Sequence, residues 1–372
     1  MDKKEITVTF GTITPLWTGD AWQNNREIRP SALIGSLRFW FETIMYFADV
    51  LKKEDFNSQS GRFEKEVNRK KLKEFIQEHG NDINEIIKYL IDEQQIPISS
   101  VIFGTTNWKS LIEIKKIEPI EDYCFGNRLD LPYAIGIKKD NYDIEEFNTE
   151  DEWKEKINQY SGRTFKDKLQ KARKKYSFFF FSQPYFYGKF KVKFFIEERI
   201  LNSIFYPFLT FMDKYGFWGG KWNIGYGRLK VESVNINLEK IDLQIFDFKT
   251  EHLKKFIKFS DILKFTNDFN ELIKFNEEDK RIKIFEHHFS DDNFKESVKE
   301  LIKFKAQERA NYRINAELRH KIFGTTKSPP EKDFLPQGSK VFPYIDKTER
   351  NKFPYSYGFL SIAGLLNLEG KN

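Results

Sequence analysis

Residues 216–231 read GFWGGKWNIGYGRLKV, in which five glycines stand among aromatic and cationic side chains. Glycine permits positive φ angles and leaves backbone amides unshielded, and successive unshielded amides form concave anion sites. The glycines that would supply such a site are Gly219, Gly220, Gly225 and Gly227. These residue types therefore favour the binding of a phosphate group close to the backbone.

Four side chains in the same stretch extend this chemistry from phosphates to bases. Lys221 and Arg228 add positive charge, while Trp222 and Tyr226 offer rings on which bases stack. The glycines follow a predicted helix and precede a predicted strand, which is the reverse of the Rossmann order, and no Walker A pattern is present. An ordinary helix-to-strand connection, with its aromatic rings in the core, stays open as the alternative.

A second group of candidate binding residues lies where the first helix is predicted to begin. Pro30 suits the first turn of a helix, and Arg29 and Ser31 next to the free amides there favour an anion. Trp17 in the preceding loop is either a contact residue or a packing residue.

Arg38 lies further along the same predicted helix, away from its apolar stripe. Gly35, about one turn earlier, allows a ligand to approach closely, whereas Trp40 belongs to the apolar stripe with Leu33 and Leu37. An ion pair between Arg38 and Glu42, four residues apart, is the alternative for this arginine.

Groups that do acid–base, nucleophilic or metal chemistry are scarce. The five histidines are His79, His252, His287, His288 and His320. The adjacent pair would point to opposite faces of a strand, which is poor metal geometry, and Cys124 has no CxxC partner. We expect no catalytic residue, no metal and no cofactor. A metal held near a phosphate by Asp20 stays open as an alternative.

Composition narrows the class of protein. A chain of 372 residues favours two domains, and the net charge of +6 fits a polyanionic partner without requiring one. One cysteine indicates a reducing compartment, and no long uncharged apolar window occurs. We therefore expect a soluble cytoplasmic protein. Seven of the thirteen residues at 163–175 are basic, which indicates either a solvated helix face or a phosphate-tracking patch.

The elements that must position these residues follow a recognisable order. Alternation predicts strands at 5–15, 189–197 and 228–236, with a further strand region around 100–119, and helical spacing predicts helices at 30–48 and 198–214. Strand, helix, strand, strand, helix, strand is the ferredoxin-like pattern. The charged residues 52–95 read as an inserted helical segment.

The pattern changes after residue 238. Helical segments are predicted at 250–275 and 293–320, and we place a domain boundary between 1–238 and 239–372. The string IFGTT occurs at 102–106 and again at 322–326, either by chance or as an equivalent turn in two related domains.

A split βαβ unit with a glycine-rich loop before its last strand resembles the RAMP superfamily of CRISPR-associated RNA-binding proteins. The string TPLWTGDAWQNNREIRPSALIGSLRFWFE is similar, within that superfamily, to the first-subunit family of the Cmr complex, the type III-B CRISPR effector. The resemblance implies an α+β fold of tandem ferredoxin-like (RRM-like) domains. It also implies that Trp17, Arg29, Ser31, Gly35, Arg38, Trp40, Gly219, Gly220, Lys221, Gly225, Gly227 and Arg228 form the contact surface.

The implied function is a non-catalytic subunit that helps capture target RNA near the 3′ end of a guide. Its implied partners are single-stranded guide or target RNA and other Cmr subunits, with no membrane. Only Lys221 lies between Gly220 and Gly225, so we expect backbone approach and aromatic contact to outweigh charge. A RAMP-type endoribonuclease that processes CRISPR RNA, a metal-dependent ribonuclease using Asp20, and a purely structural assembly cap are the alternatives.

Overall fold

Five sheets and eleven α-helices make up the part of the chain that the computed structural model describes, residues 3–20, 24–57, 59–237, 239–243, 248, 257–274, 280–286, 293–312, 314–324, 338–347 and 355–368. The strands are β1 Lys3–Thr12, β2 Phe56–Asn57, β3 Arg62–Phe63, β4 Ile112–Pro119, β5 Cys124–Gly126, β6 Ala134–Lys138, β7 Ile144–Phe147, β8 Tyr176–Phe180, β9 Tyr185–Tyr187, β10 Lys189–Glu197, β11 Leu229–Ile236, β12 Glu239–Ile241, β13 Leu263–Thr266, β14 Ile282–Glu286, β15 Val341–Lys347 and β16 Tyr355–Ser361. The helices are α1 Pro30–Phe47, α2 Arg69–His79, α3 Ile83–Asp92, α4 Ile98–Phe103, α5 Glu150–Asn158, α6 Phe165–Lys175, α7 Tyr206–Lys214, α8 Phe259–Ile262, α9 Phe269–Ile273, α10 Phe294–Asn311 and α11 Ala316–Phe323.

The first sheet is antiparallel, with the strand order β12-β11-β1-β10-β4. Its last four strands, together with the crossover helices α1 and α7, have the ferredoxin-like order, which confirms the fold class predicted from the sequence. Strand β10 coincides with the predicted strand at 189–197 because its apolar residues alternate and face the core. A 3₁₀ turn and a π-helical turn, at Glu198–Ile200 and Leu201–Phe205, lead into α7.

The second sheet has the order β13-β14-β16-β15. Strands β14, β15 and β16, with α10 and α11 between the first two, repeat the first three strands of the ferredoxin-like order. Strand β13 precedes β14 and lies parallel to it, at the edge where a fourth antiparallel strand would complete the pattern. The second domain is therefore a divergent copy of the first.

Two sequence predictions differ from the structure. The expected helix at 250–275 contains strand β13 between the short helices α8 and α9, and residues 249–256 lie outside the described part of the chain. The strand region expected around 100–119 begins with helix α4, and only β4 is extended. Short apolar runs fit a buried helix as well as a strand, so periodicity alone does not separate them.

The repeated Ile-Phe-Gly string marks the same turn in both domains. Helix α4 is followed by Gly104 (φ 85°, ψ 157°), and α11 is followed by Gly324 (φ 77°, ψ 164°). The carbonyl of Ile102 accepts the amide of Leu111 just before β4, and the carbonyl of Ile322 accepts the amide of Lys340 just before β15. Matching conformations and matching hydrogen bonds show that the turns are equivalent.

The first domain contains two insertions. Residues 52–95 contain α2 and α3 beside the small β2–β3 hairpin, and a three-stranded sheet β7-β6-β8 carries α5 and α6. Glu146 of β7 lies 3.2 Å from Lys295 and 2.5 Å from Lys299 of α10, so this sheet contacts the second domain.

Strand β12 continues the first sheet beyond residue 238, and the domain boundary there stays a prediction. No helix in the described ranges is long and apolar enough to cross a membrane.

Arg228, expected to assist RNA binding, is fully buried between the two sheets. Its guanidinium donates to three carbonyl oxygens at the end of α7, those of Asp213 (3.1 Å), Lys214 (2.7 Å) and Gly216. Its Nε donates to the carbonyl of Ile345 in β15 at 3.2 Å. Carbonyls at a helix C-terminus carry partial negative charge and stabilise a cation there. Arg228 therefore joins the first domain to the second.

Replacing Arg228 is expected to destabilise the protein. Arg228→Met removes the hydrogen bonds to four carbonyl oxygens, two of which are buried, so the free energy of unfolding should fall by about 3 kcal/mol or more. Lys230→Met removes an exposed cation two residues away and should change it by less than about 1 kcal/mol. Urea unfolding followed by circular dichroism measures both, and equal stabilities for the two variants would contradict this role.

Candidate nucleic-acid interface

The glycine-rich loop uses its amides inside the protein. The amide of Gly219 donates to Ser36 Oγ (2.9 Å), and the amide of Gly220 donates to the carbonyl of Trp17 (2.8 Å). Gly219 (φ 70°) and Gly227 (φ 93°) occupy the left-handed region, and a Cβ atom there would lie 2.4 and 2.2 Å from a carbonyl oxygen. At Gly219, Gly220 and Gly227 the glycines thus allow close backbone packing, where an open anion site was expected.

Three other predicted contact side chains are core residues in the structure. Trp40, Tyr226 and Arg228 are fully buried, and the Trp40 indole donates to the carbonyl of Phe217 at 3.0 Å. Gly225, also buried, packs against Pro343 of β15. These residues lie out of reach of RNA in this structure. The alternative of a helix-to-strand connection with its rings in the core fits Tyr226 of the loop, whereas Trp222 is only half-buried.

Lys221 and Trp222 remain at the surface of the loop. Lys221 Nζ lies 5.0 Å from the centre of the Trp17 ring, and partial burial lowers the pKa of this lysine. The half-buried Trp222 ring lies 5.1 Å from Phe39 and 5.7 Å from Phe342. This aromatic group joins α1, the glycine loop and β15, and one side of it borders an open cleft.

The residues predicted at the start of α1 are ordered by their neighbours. Arg29 pairs with Asp20 (3.4 Å), whose other carboxylate oxygen accepts the amide of Asn24, and Ser31 is exposed. The Asp20 carboxylate, the alternative metal ligand, therefore contributes to loop structure.

Arg38 is nearly buried and is neutralised within the fold. It pairs with Glu42 (2.8 Å) and Glu64 (3.3 Å) and donates to the carbonyl of Gly104 (3.0 Å). Burial raises the pKa of Glu42, and the hydrogen bond and charge of Arg38 partly offset this rise. The ion pair considered from the sequence is present.

Gly35 stands apart from the loop glycines. A Cβ atom placed on it would meet no atom within 4 Å. It lines a groove of about 310 Å³ beside Arg62 and Trp222, and Ser31 and Phe39 lie four residues to either side of it. Because nothing in the fold requires glycine at this helical position, its absent side chain keeps the groove open.

The groove opens into a cleft of about 850 Å³ between the two domains. The two spaces share the lining residues Phe39, Glu42, Gly61, Gly219 and Trp222. The basic residues that line the cleft are Lys139, Arg173, Lys221, Lys305, Arg309, His320 and Lys340. Its aromatic lining is Phe39, Phe56, Phe63, Tyr176, Phe178, Phe179, Phe180, Trp222, Phe323 and Phe342. Among the described lining residues, Glu42 supplies the one carboxylate.

Sequence reasoning missed most of this lining. Arg173 belongs to the basic run at 163–175, so the phosphate-tracking interpretation had already included it. Phe39 lies inside the LRFW string, in which the sequence predicts contacts for its neighbours Arg38 and Trp40. Lys305 and Arg309 gave no signal, because lysine and arginine on a helix of mixed charge resemble a solvated face.

Lys305 is buried on α10 with a small part of its surface facing the cleft, and burial and the charge of Arg309 lower its pKa from the usual range to about 7. Its Nζ donates to Ser339 Oγ (2.9 Å) and to the carbonyl of Val341 (2.6 Å). The ammonium form is therefore disfavoured in the folded state.

The burial of Lys305 should make the free energy of unfolding depend on pH. Between pH 7 and the unfolded pKa of about 10.4 the unfolded chain holds the proton more tightly, so stability rises with pH across that window. Lys305→Met removes this dependence and should raise the free energy of unfolding at pH 7 by roughly 2 kcal/mol, with a smaller gain at pH 10. Urea titrations from pH 7 to 10 measure the effect, and an unchanged slope in the variant would refute it.

Comparison with known proteins places this geometry in a family. A search of curated protein sequences gave no significant match. Among solved structures, the chain is similar to Cmr1 from Pyrococcus furiosus in its apo form, with 14% identity, a TM-score of 0.37, and coverage of 96% of this chain and 86% of that one. The RAMP superfamily model matches residues 9–230, more than half of the chain. This span includes α1, the glycine-rich loop and strands β4 and β10 of the first sheet. The chain belongs to the RAMP superfamily.

Proposed function

We propose that this protein is a non-catalytic RNA-binding subunit of a Cmr-type (type III-B CRISPR) ribonucleoprotein, which helps capture target RNA near the 3′ end of the guide. The interdomain cleft is the observation that carries RNA binding. It combines cationic side chains and aromatic rings along one continuous surface, and among the described residues that line it Glu42 supplies the one carboxylate. A basic groove with aromatic platforms is the arrangement that binds single strands without strong sequence preference.

The surface that we assign to RNA differs from the set implied by the sequence. The assigned surface still includes Gly35 and loop residues 219–222. It adds Phe39 and Arg173, which were not in the predicted set. Arg38 lines the groove, but its charge is already paired with two carboxylates. We therefore expect RNA to contact the aromatic rings of the cleft together with cations such as Lys221 and Arg173, while the buried Arg38 and Arg228 have structural roles.

Membership of a Cmr complex rests on the N-terminal string that includes TPLWTG and IRPSALIGSLRFW, together with RAMP membership. The proposal keeps the cytoplasmic location expected from the sequence. Neither groove nor cleft needs a reactive group for this role, because binding a strand requires only positioned charges and rings.

Gly35 allows RNA binding to be tested without disturbing the fold. Gly35→Gln places a side chain in the open groove, and we expect about a tenfold loss of affinity for single-stranded RNA, comparable to the loss of one stacked base. Stability should rise by about 0.5 kcal/mol, because glutamine is the better helix former. Fluorescence anisotropy with a labelled RNA of mixed sequence measures the affinity.

Gly35→Ala is the matched control. Its single methyl group fits the open space, so it should bind RNA within about twofold of the wild type and gain a similar amount of stability. RNA affinity that stays unchanged in Gly35→Gln would remove the groove from the RNA interface.

Assembly and catalysis are tested separately. A pull-down of the native protein should recover other Cmr subunits and a mature guide RNA, and purified protein should leave repeat RNA and target RNA intact with or without Mg²⁺. Defined cuts in repeat RNA would favour the endoribonuclease alternative. Mg²⁺-dependent cleavage abolished by Asp20→Ala would favour the metal-dependent one.

A further inference from the structure

The duplicated turn carries an arginine in each domain. Arg38 of α1 donates to the carbonyl of Gly104 (3.0 Å), and Arg309 of α10 donates to the carbonyl of Gly324 (3.3 Å). Each arginine comes from the long helix that follows the first strand of its own ferredoxin-like unit. The two guanidinium groups therefore occupy equivalent places in the two copies.

Their electrostatic surroundings differ. Arg38 has carboxylates at 2.8 and 3.3 Å, from Glu42 and Glu64. In the described part of the chain, no carboxylate lies within ion-pair distance of Arg309 or of Lys305, one turn before it. Burial lowers the pKa of Arg309, and repulsion from Arg319 lowers it further. Among the described residues, the second copy thus retains the cations without the carboxylates that pair with Arg38 in the first.

Uncompensated buried cations are costly, and proteins normally pair them or bind an anion to them. Within the described ranges, the acceptors of Lys305 are neutral oxygens, and the buried Arg319 Nε has no hydrogen-bond partner. Lys305 and Arg309 both line the interdomain cleft, which also receives Arg173. An anion in the cleft would supply the missing charge at this point.

We propose that Lys305 and Arg309 form a phosphate-binding subsite in the second domain. The phosphate is one from the RNA strand in the cleft, so this proposal rests on the proposed function. The guanidinium fork of Arg309 and the ammonium of Lys305 suit phosphate oxygens. Bound phosphate favours the charged form of Lys305, so binding and protonation are coupled. The first copy of the turn, already neutralised, lacks this capacity.

Two measurements on the full chain test the subsite. In the first, inorganic phosphate replaces chloride at constant ionic strength, and the melting temperature of the wild type should rise by about 2 °C or more. The variant Lys305→Met with Arg309→Met should lose this rise. In the second, RNA affinity of the same variant should fall about tenfold, and the slope of log K against log salt should become shallower by about 0.7 to 1.4.

Lys303→Met is the matched control on the same helix, because Lys303 pairs with Glu300 (3.9 Å) and does not line the cleft. It should keep both the phosphate response and the salt slope. Lys305→Met alone, which is expected to fold more stably, serves if the double variant fails to fold, and should show a smaller loss in both measurements.

The outcomes separate the subsite from the proposed function. Retention of both the phosphate response and the salt slope in the Lys305 and Arg309 variants would overturn the subsite. Wild-type protein that binds no RNA, yet is stabilised by phosphate through these two residues, would overturn the assignment to RNA and the proposed function together, and would leave a phosphate site of another kind.

Discussion

The guanidinium of Arg228 lies where helix α7 ends and strand β15 of the second sheet passes, and both domains supply its hydrogen-bond acceptors. A buried cation must be satisfied on every N–H, so the end of α7, the base of β11 and strand β15 are held in one arrangement. The glycine-rich loop, which leaves α7 and returns to β11, is also hydrogen-bonded to Ser36 of α1 and to Trp17 through the amides of Gly219 and Gly220. Its outer residues are thereby fixed at the mouth of the cleft.

The cleft depends on this arrangement because its walls belong to different parts of the chain. One wall is α1 with the glycine loop, the second is β8 with the basic end of α6, and the third is α10 with the turn before β15. Glu146, which contacts two lysines of α10, links the second wall to the third. Since packed interiors resist deformation, a strand in the cleft would meet charges and rings at set spacings.

The local elements could be predicted from the sequence, and their tertiary surroundings could not. Strand β10 and the crossover helices α1 and α7 follow from periodicity, which reports which face of an element is apolar. Arg228 and Tyr226 were placed at the surface because their types suit RNA, although type says nothing about which elements enclose a side chain. Lys305 is the opposite case: it is buried although its residue type suits the surface, and the sequence does not distinguish a buried lysine from a solvated one. Only the packing of α10 against β15 reveals it.

The glycines also differ in which requirement, folding or ligand binding, selects against a side chain at each position. At Gly219 and Gly227 a side chain would collide with a carbonyl oxygen, so substitutions there are eliminated as folding defects whatever the protein binds. At Gly35 a side chain meets empty space and improves the helix, so the fold exerts no selection for glycine. In related chains, the size of the side chain at the position of Gly35 should therefore reflect how much space the groove needs for its ligand.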